Sequence, residues 1–509
     1  MDKPSTGAAD GFSSALCDLP ARELRRLIGL RKVSPVEVMM ACLSRIEALE
    51  PAVNALAATD FDRALLQARQ AEDQVMRGEP LGLLHGLPLG VKDLQDTAGL
   101  LTTHGNIRWR GHVPASDASL VARLRAAGAI VTAKTNVPDM GAGANTRNPV
   151  WGATGNPFDP MLNAGGSSGG SAAALATGML PLCTGSDTGG SLRIPAALCG
   201  VVGLRPSPGW IGYEARPLGW SPLSVLGPMA RDIEDTALLM AASVGPHPLD
   251  PISRPSDNAG FLQLPDVDLR TLRVAWTADF GVCAVDPDIR KTFLERVEAV
   301  ERLCGHCEPV KFGWGDEVHR SFDVLRAEAF LAGHSGVSGA DAQTLSPNVR
   351  ANLEIARGMS LQDRANAHLV QTRMARDLAR LFTRFDVLIA PVSPVTPFPW
   401  ATLYAQQVDG QAMRNYYEWL ALTYVVTLAT NPALSLPCGR DAHGMPFGLQ
   451  MIGPMQGDVR LLSSARAFEA AWRDDTGLAR PRPDLSLLQD ARPALKSIVT
   501  HPPGRPADD

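Results

Sequence analysis

The sequence predicts an α/β fold in which a sheet is covered by helices. Three observations carry that prediction. Between about residues 81 and 205, short apolar runs alternate with helical stretches, the texture of strands and helices taken in turn. Apolar residues make up 45% of the 509-residue chain and charged residues 20%, enough for a substantial core. No internal repeat or linker-like stretch divides it, so one large domain is expected instead of the roughly three that length alone suggests.

The elements follow in order. Residues 1–20 read as an N-terminal tail ahead of a main domain at 21–477. Ser34-Pro35-Val36-Glu37 is a capping box with proline at the first helical position, opening a helix to about Leu49. DRALLQARQAEDQVMR makes a second, amphipathic helix, and the two are expected to form an all-helical wrapper. Strands are expected in LPLGVKD, AIVTAKT and MLPLCTG, and helices in SLVARLRAAG and SAAALATG. Residues 206–260 are rich in Pro, Gly and Trp and read as irregular. Helices follow over 286–304 and 349–385, then a buried strand, FDVLIAPVSP. NPALSLPCG and PFGLQMIGP read as two more core strands and DVRLLSSARAFEAAW as a helix. Residues 478–509 form a Pro-rich tail, expected to fray.

Several function classes fall away. A net charge of −5 leaves no basic footprint for nucleic acid. No run of about 18 apolar residues predicts a membrane span, and MDKPSTGAADGFSSAL has no apolar core of a secretory signal. The eight cysteines are scattered, the pattern of a reduced, cytoplasmic protein. Cys304-Gly305-His306-Cys307 has redox spacing, but a helical pattern precedes it. It reads as a helix stop before a strand, EPVKF.

Two glycine–serine clusters stand close together, GGSSGGS at 165–171 and GSDTGGS at 185–191. Glycine costs backbone entropy, so such clusters imply unusual turns or a close-approaching ligand. No lysine follows either one as a phosphate-binding loop needs. Neither fits a dinucleotide fingerprint or the G-x-S-x-G elbow of serine hydrolases. Among the ten histidines, His85 and His104 lie nearby, without an orienting carboxylate at a readable spacing. Lys92, ending the apolar run LPLGV, is the other candidate base, because a desolvated lysine loses its proton more easily. A structural ion pair with Asp93 or Asp96 is the alternative for that residue.

At this point the segment GGSSGGSAAALATGMLPLCTGSDTGGSLRIPAALCGVVGLRP, 165–206, resembles the defining stretch of the amidase signature family. GLPLGVKD, TTHG, AKTNVPD, DVLIAPVSP and PFGLQMIGP fall where that family has its other blocks, so the resemblance covers roughly 20–475. It implies a central twisted mixed β-sheet covered by helices on both faces, a signature core at about 81–206 and a variable pocket region at about 206–425. It also implies a Ser–cis-Ser–Lys triad: Lys92 as base, Ser167 as bridge after a cis peptide from Gly166, Ser191 as nucleophile. Ser168 and Ser171 would support them, and the N–H groups of Thr188, Gly189, Gly190 and Ser191 would form the oxyanion hole. Gly141 falls on the substrate-side loop. The family needs no metal or cofactor, and homodimers are frequent in it.

The departures concern substrate. Asp139 and Met140 stand where many members have a glutamate and an aromatic residue, Asn106 where serine is common, and Ile194 where the glutaminase subunit of the tRNA-dependent amidotransferase usually has glutamine. The expected activity is hydrolysis of a small or medium apolar or aryl amide, with esters or carbamates as side substrates. A catalytically silent binding protein and that glutaminase subunit are the alternatives. Trp210, Trp220, Tyr416, Tyr417 and Trp419 fall in variable stretches and are expected to shape the pocket.

Overall fold

Eleven strands form the central sheet of the computed structural model, which describes residues 15–334, 336–337 and 343–504. They are β1 (Leu56–Thr59), β2 (Pro88–Lys92), β3 (Ile130–Thr135), β4 (Leu182–Asp187), β5 (Val202–Arg205), β6 (Val225–Ala230), β7 (Arg273–Trp276), β8 (His306–Pro309), β9 (Val387–Pro391), β10 (Ala433–Arg440) and β11 (Pro446–Ile452). The spatial order is β1-β3-β2-β4-β6-β5-β10-β11-β9-β7-β8. The sheet is mixed. β3-β2-β4 and β9-β7-β8 are parallel blocks, and antiparallel pairs run between them and out to β1. Every residue of β2, β3, β6, β9 and β11 is buried. Unbroken burial along a strand means that both faces of the sheet are covered.

Helices supply that cover. α1 (Ala21–Gly29), α2 (Pro35–Val53) and α3 (Phe61–Arg77) precede β2. The capping box forms as read: Ser34 Oγ accepts from Glu37 N at 3.0 Å, and Glu37 Oε2 accepts from Ser34 N at 2.7 Å. The wrapper is not wholly helical, because β1 leaves α2 through left-handed Asn54 and joins the sheet edge. α4 (Gly169–Ala176) and α5 (Arg193–Cys199) follow the two glycine–serine clusters. The stretch expected to be irregular holds β6 and α6 (Ile233–Ser243), whose first turn is capped by Asp232. Beyond β7 come α7 (Pro287–Glu301), α8 (Glu317–His334), α9 (Pro347–Gly358), α10 (Leu361–Leu381), α11 (Ala421–Ala429), α12 (Asp458–Trp472) and α13 (Leu485–Asp490).

Cys304 follows the end of α7 and Cys307 lies in β8, which begins at His306, two residues earlier than the strand expected there, and both thiols are free. Burial pushes each up to about 12, opposite to the lowering a redox thiol needs. The segment after 478 does not fray through residue 504. Leu488 and Leu495 are buried, and Leu495 O accepts a hydrogen bond from Ala153 N. No helix among the described residues is long and apolar enough to cross a membrane.

Candidate active site

β2 runs apolar into Lys92, whose side chain is wholly buried. Its Nζ donates to Ser167 Oγ at 2.7 Å and to Ser186 Oγ at 2.9 Å. Burial lowers this amine to about 7, against the opposing pull of Asp187, because a dry site penalises the ammonium form. No ion pair with Asp93 or Asp96 forms. Asp93 accepts from the N–H and hydroxyl of Thr103, and Asp96 lies 3.6 Å from His104. The Gly166–Ser167 peptide is cis.

The second cluster ends β4 and makes the turn into α5. Asp187 organises it. Its Oδ1 accepts from Gly190 N at 2.8 Å and its Oδ2 from Leu192 N at 3.3 Å. Burial pushes this carboxyl up, but Arg193 and Arg205 outweigh that and hold it at about 2. The Gly190 N–H, expected to face an oxyanion, is therefore already committed to Asp187. Those of Thr188, Gly189 and Ser191 make no hydrogen bond among the described residues. Gly190 sits at φ +119°, and a Cβ there would stand 2.2 Å from Thr423 Oγ1. Only glycine fits.

A cavity of about 320 Å³ opens on this turn, and Ser167, Ser186, Thr188, Ser191 and Gly141 all line it. Gly141 sits at φ +71°, which favours glycine, and a Cβ there would stand 2.8 Å from Leu94 Cδ1. Lys92 reaches the cavity through Ser167. Ser191 Oγ makes no hydrogen bond to Ser167 among the described residues. The two supporting serines differ. Ser171 Oγ donates to Thr184 O at 2.9 Å and lies 2.7 Å from Thr135 Oγ1, whereas Ser168 Oγ is buried without a partner among the described residues.

Two of the substitutions noted in the sequence touch each other. Asn106 Nδ2 donates to Asp139 Oδ1 at 3.0 Å and to Thr344 O at 3.0 Å. Burial raises Asp139 to about 7, opposed by that amide and by Arg350. Met140 enters the cavity beside this pair. His104 also lines the cavity, and burial lowers it to about 4, which leaves a neutral ring at physiological pH.

The aromatic expectation is corrected. Trp220 is 79% exposed and does not line this cavity, and Trp210 donates to Asp458 Oδ2 at 2.9 Å. Tyr416, Tyr417 and Trp419 pack in the core. Tyr213, Phe330, Leu218 and Leu223 supply the apolar wall instead. Sequence reasoning missed Ser186, Asp187, Arg193 and Arg326. Asp187 lies within the second cluster and Arg193 two residues after it, and a charged pair in an otherwise small-residue turn was the available signal. Arg326 gave none. Among the described residues, no three His, Cys, Asp or Glu side chains converge to hold a metal ion.

Comparison with known proteins places the site in context. The Amidase family model matches residues 37–462. The A-type subunit of a glutamyl-tRNA(Gln) amidotransferase from Picosynechococcus sp. is 34% identical over 477 residues, covering 88% of this chain and 97% of that protein. An acylamidase from Rhodococcus erythropolis is 31% identical over 460 residues, 90% of this chain and 96% of that one. The crystal structure of a bacterial aryl acylamidase of the amidase signature enzymes superposes with a TM-score of 0.84 at 28% identity, covering 93% of this chain and 98% of that one.

Proposed function

The chain belongs to the amidase signature family of amidohydrolases, and from that premise we propose that it is a stand-alone amidase acting through a Ser191 acyl-enzyme. One observation carries the reading: a buried amine lowered to about 7 lies 2.7 Å from Ser167, on the cavity that Ser191 shares. A neutral Lys92 can receive the Ser167 proton while donating to Ser186. Ser167 then takes the proton of Ser191, whose Oγ attacks the amide carbonyl carbon. The Ser191–Ser167 hydrogen bond must form as the substrate seats, since catalytic contacts tighten in the complex. The N–H groups of Gly189 and Ser191, with that of Thr188, are the donors left to meet the oxyanion. The relayed proton passes back to the leaving nitrogen, the C–N bond breaks, and water repeats the attack on the ester.

A second reading, the glutaminase subunit of the tRNA-dependent amidotransferase, is favoured by the 34% identity across nearly the full length of that relative. Ile194, buried behind the Ser191 turn, stands where that protein usually has glutamine. Glutamine hydrolysis, or a partner that co-purifies, would favour the second reading.

The test of the first is to trap the acyl-enzyme with a slow ester and map it by mass spectrometry. The adduct is expected on Ser191 and absent in Ser191→Ala. Lys92→Ala should lose roughly 10³-fold or more in kcat at neutral pH, and the Lys92/Ser191 double variant should be little worse than Ser191→Ala alone, because these residues act as one unit. Label elsewhere, or full activity of Lys92→Ala, would overturn the mechanism.

A further inference from the structure

One face of α8 turns toward the cavity. Arg326, Ala329, Phe330, Gly333 and His334 line it at spacings of three and four, a single helical stripe. Arg326 is 6% exposed, and a guanidinium cannot shed its proton in a protein. Buried charges are ordinarily met by opposite ones. Arg193 and Arg205 share Asp187, and Arg216, also on the cavity wall, bridges Asp250. Arg326 has no carboxylate partner among the described residues.

Its contacts are all with neutral groups. Nε donates to Asn352 Oδ1 at 3.1 Å and Nη2 to the Tyr416 hydroxyl at 2.7 Å. The guanidinium carbon lies 4.9 Å from the ring centres of both Phe330 and Tyr417. Aromatic faces hold a cation without neutralising it. Nη1 makes no hydrogen bond among the described residues and is not one of the sealed polar atoms. The arrangement fixes the fork and leaves its charge uncompensated. The rest of the wall agrees, since no Asp or Glu among the described residues lines the cavity.

We propose that the amide cleaved here carries a carboxylate on an apolar or aromatic body, and that Arg326 binds that carboxylate while Phe330 and Met140 hold the body. This rests on the amidase reading above and names its substrate class. A planar guanidinium matches a carboxylate in shape and charge. A wall without acids disfavours an amino acid amide such as glutamine, whose ammonium group would meet only cations and neutral groups.

Two substrate pairs test this, one for each side of the scissile bond. Succinic acid mono-4-nitroanilide is compared with its 4-oxopentanoyl isostere, and N-acetyl-4-aminobenzoate with N-acetyl-4-aminoacetophenone. In one pair the acid should be favoured at least about tenfold in kcat/KM, mainly through KM, and Arg326→Gln should reduce that ratio at least about tenfold. Equal or better turnover of the ketone in both pairs overturns the proposal, and so does a variant that slows both members alike with the ratio intact. Should Arg326→Gln not fold, the wild-type ratios decide. Calorimetry with the two acids on Ser191→Ala separates this proposal from its premise. Acid binding that is lost on adding Arg326→Gln, with no amide cleaved by the wild type, keeps the carboxylate site and sinks the amidase reading. Cleavage of amides without acid preference does the reverse.

Discussion

Lys92 is a buried amine, and in the proposed relay its protonation decides whether Ser167 has an acceptor. Burial lowers it to about 7 and Asp187 pulls the other way. In the proposed relay the protonated form is the inactive one, so kcat/KM should rise with pH through about 7 and then level off, falling to about a tenth of the plateau one unit below the midpoint. A pH–rate profile on a neutral anilide checks this. A flat profile, or one governed by a midpoint near 4 as for His104, would contradict it. The same desolvation acts on stability. The unfolded chain binds the Lys92 proton up to its ordinary 10.5 and the folded one only to about 7, so below 10.5 the buried lysine costs stability, in full below about 7. Lys92 and the two serines were legible because they lie inside long, distinctive blocks of sequence. Arg326 was not: an arginine on an amphipathic helix reads as a surface residue, and its burial comes from Tyr416 and Asn352, which are remote in the chain.

The Ser191 turn depends on a charge cluster beneath it. Arg193 donates through Nε and Nη2 to Asp187, through Nη1 to Gln450 Oε1 and through Nη2 to Thr427 Oγ1, tying β4, α5, β11 and α11 together. Removing Asp187 leaves two buried guanidiniums, those of Arg193 and Arg205, short of an anion. Asp187→Asn should therefore cost about 3–5 kcal/mol in urea unfolding, and it should lower kcat by loosening the Gly190–Leu192 backbone. The sign in pH follows from the depressed carboxyl. Asp187 titrates at about 2 in the fold against an ordinary 3.8, so its contribution is full above about 3.8 and is lost as pH falls through 2. Acid unfolding between those values should be less steep in the variant. At this scale the sequence was readable wherever apolar runs were clean, as in β2, β3 and β11. β6 was missed because SVLGPMA carries Gly227 and Pro228 inside a Pro-rich stretch, although Pro228 pairs opposite Thr184 in the middle of the sheet. Proline is rare in central strands, so a tertiary environment overrode a sound local rule. α11, ALTYVVTLA, is buried at every residue and thus shows no helical periodicity to read.

The whole molecule is closed by its C-terminal segment, which composition alone marks as a loose tail. Proline limits regular structure but does not prevent packing, and this segment packs on the core that carries the candidate site. Arg480 Nε donates to Gly200 O at 3.0 Å, just past α5, and Asp484 caps α13. Leu488 is 1% exposed within the cluster that holds α4 and its alanines, and Leu495 is 1% exposed against Ala153 and Trp400. A Cβ on Gly152 would stand 2.5 Å from Leu495 O, so the two backbones touch. The cluster that holds the helix behind Ser167 therefore includes a residue more than three hundred positions later. Leu488→Ala should cost about 2–4 kcal/mol, and ending the chain at residue 477 should cost more, with Tm falling accordingly. Neither change touches the cavity, so the fraction that remains folded should keep its KM. Thermal unfolding of the truncated chain beside the full one is the measurement. An unchanged Tm would mean that the segment lies on the core without stabilising it.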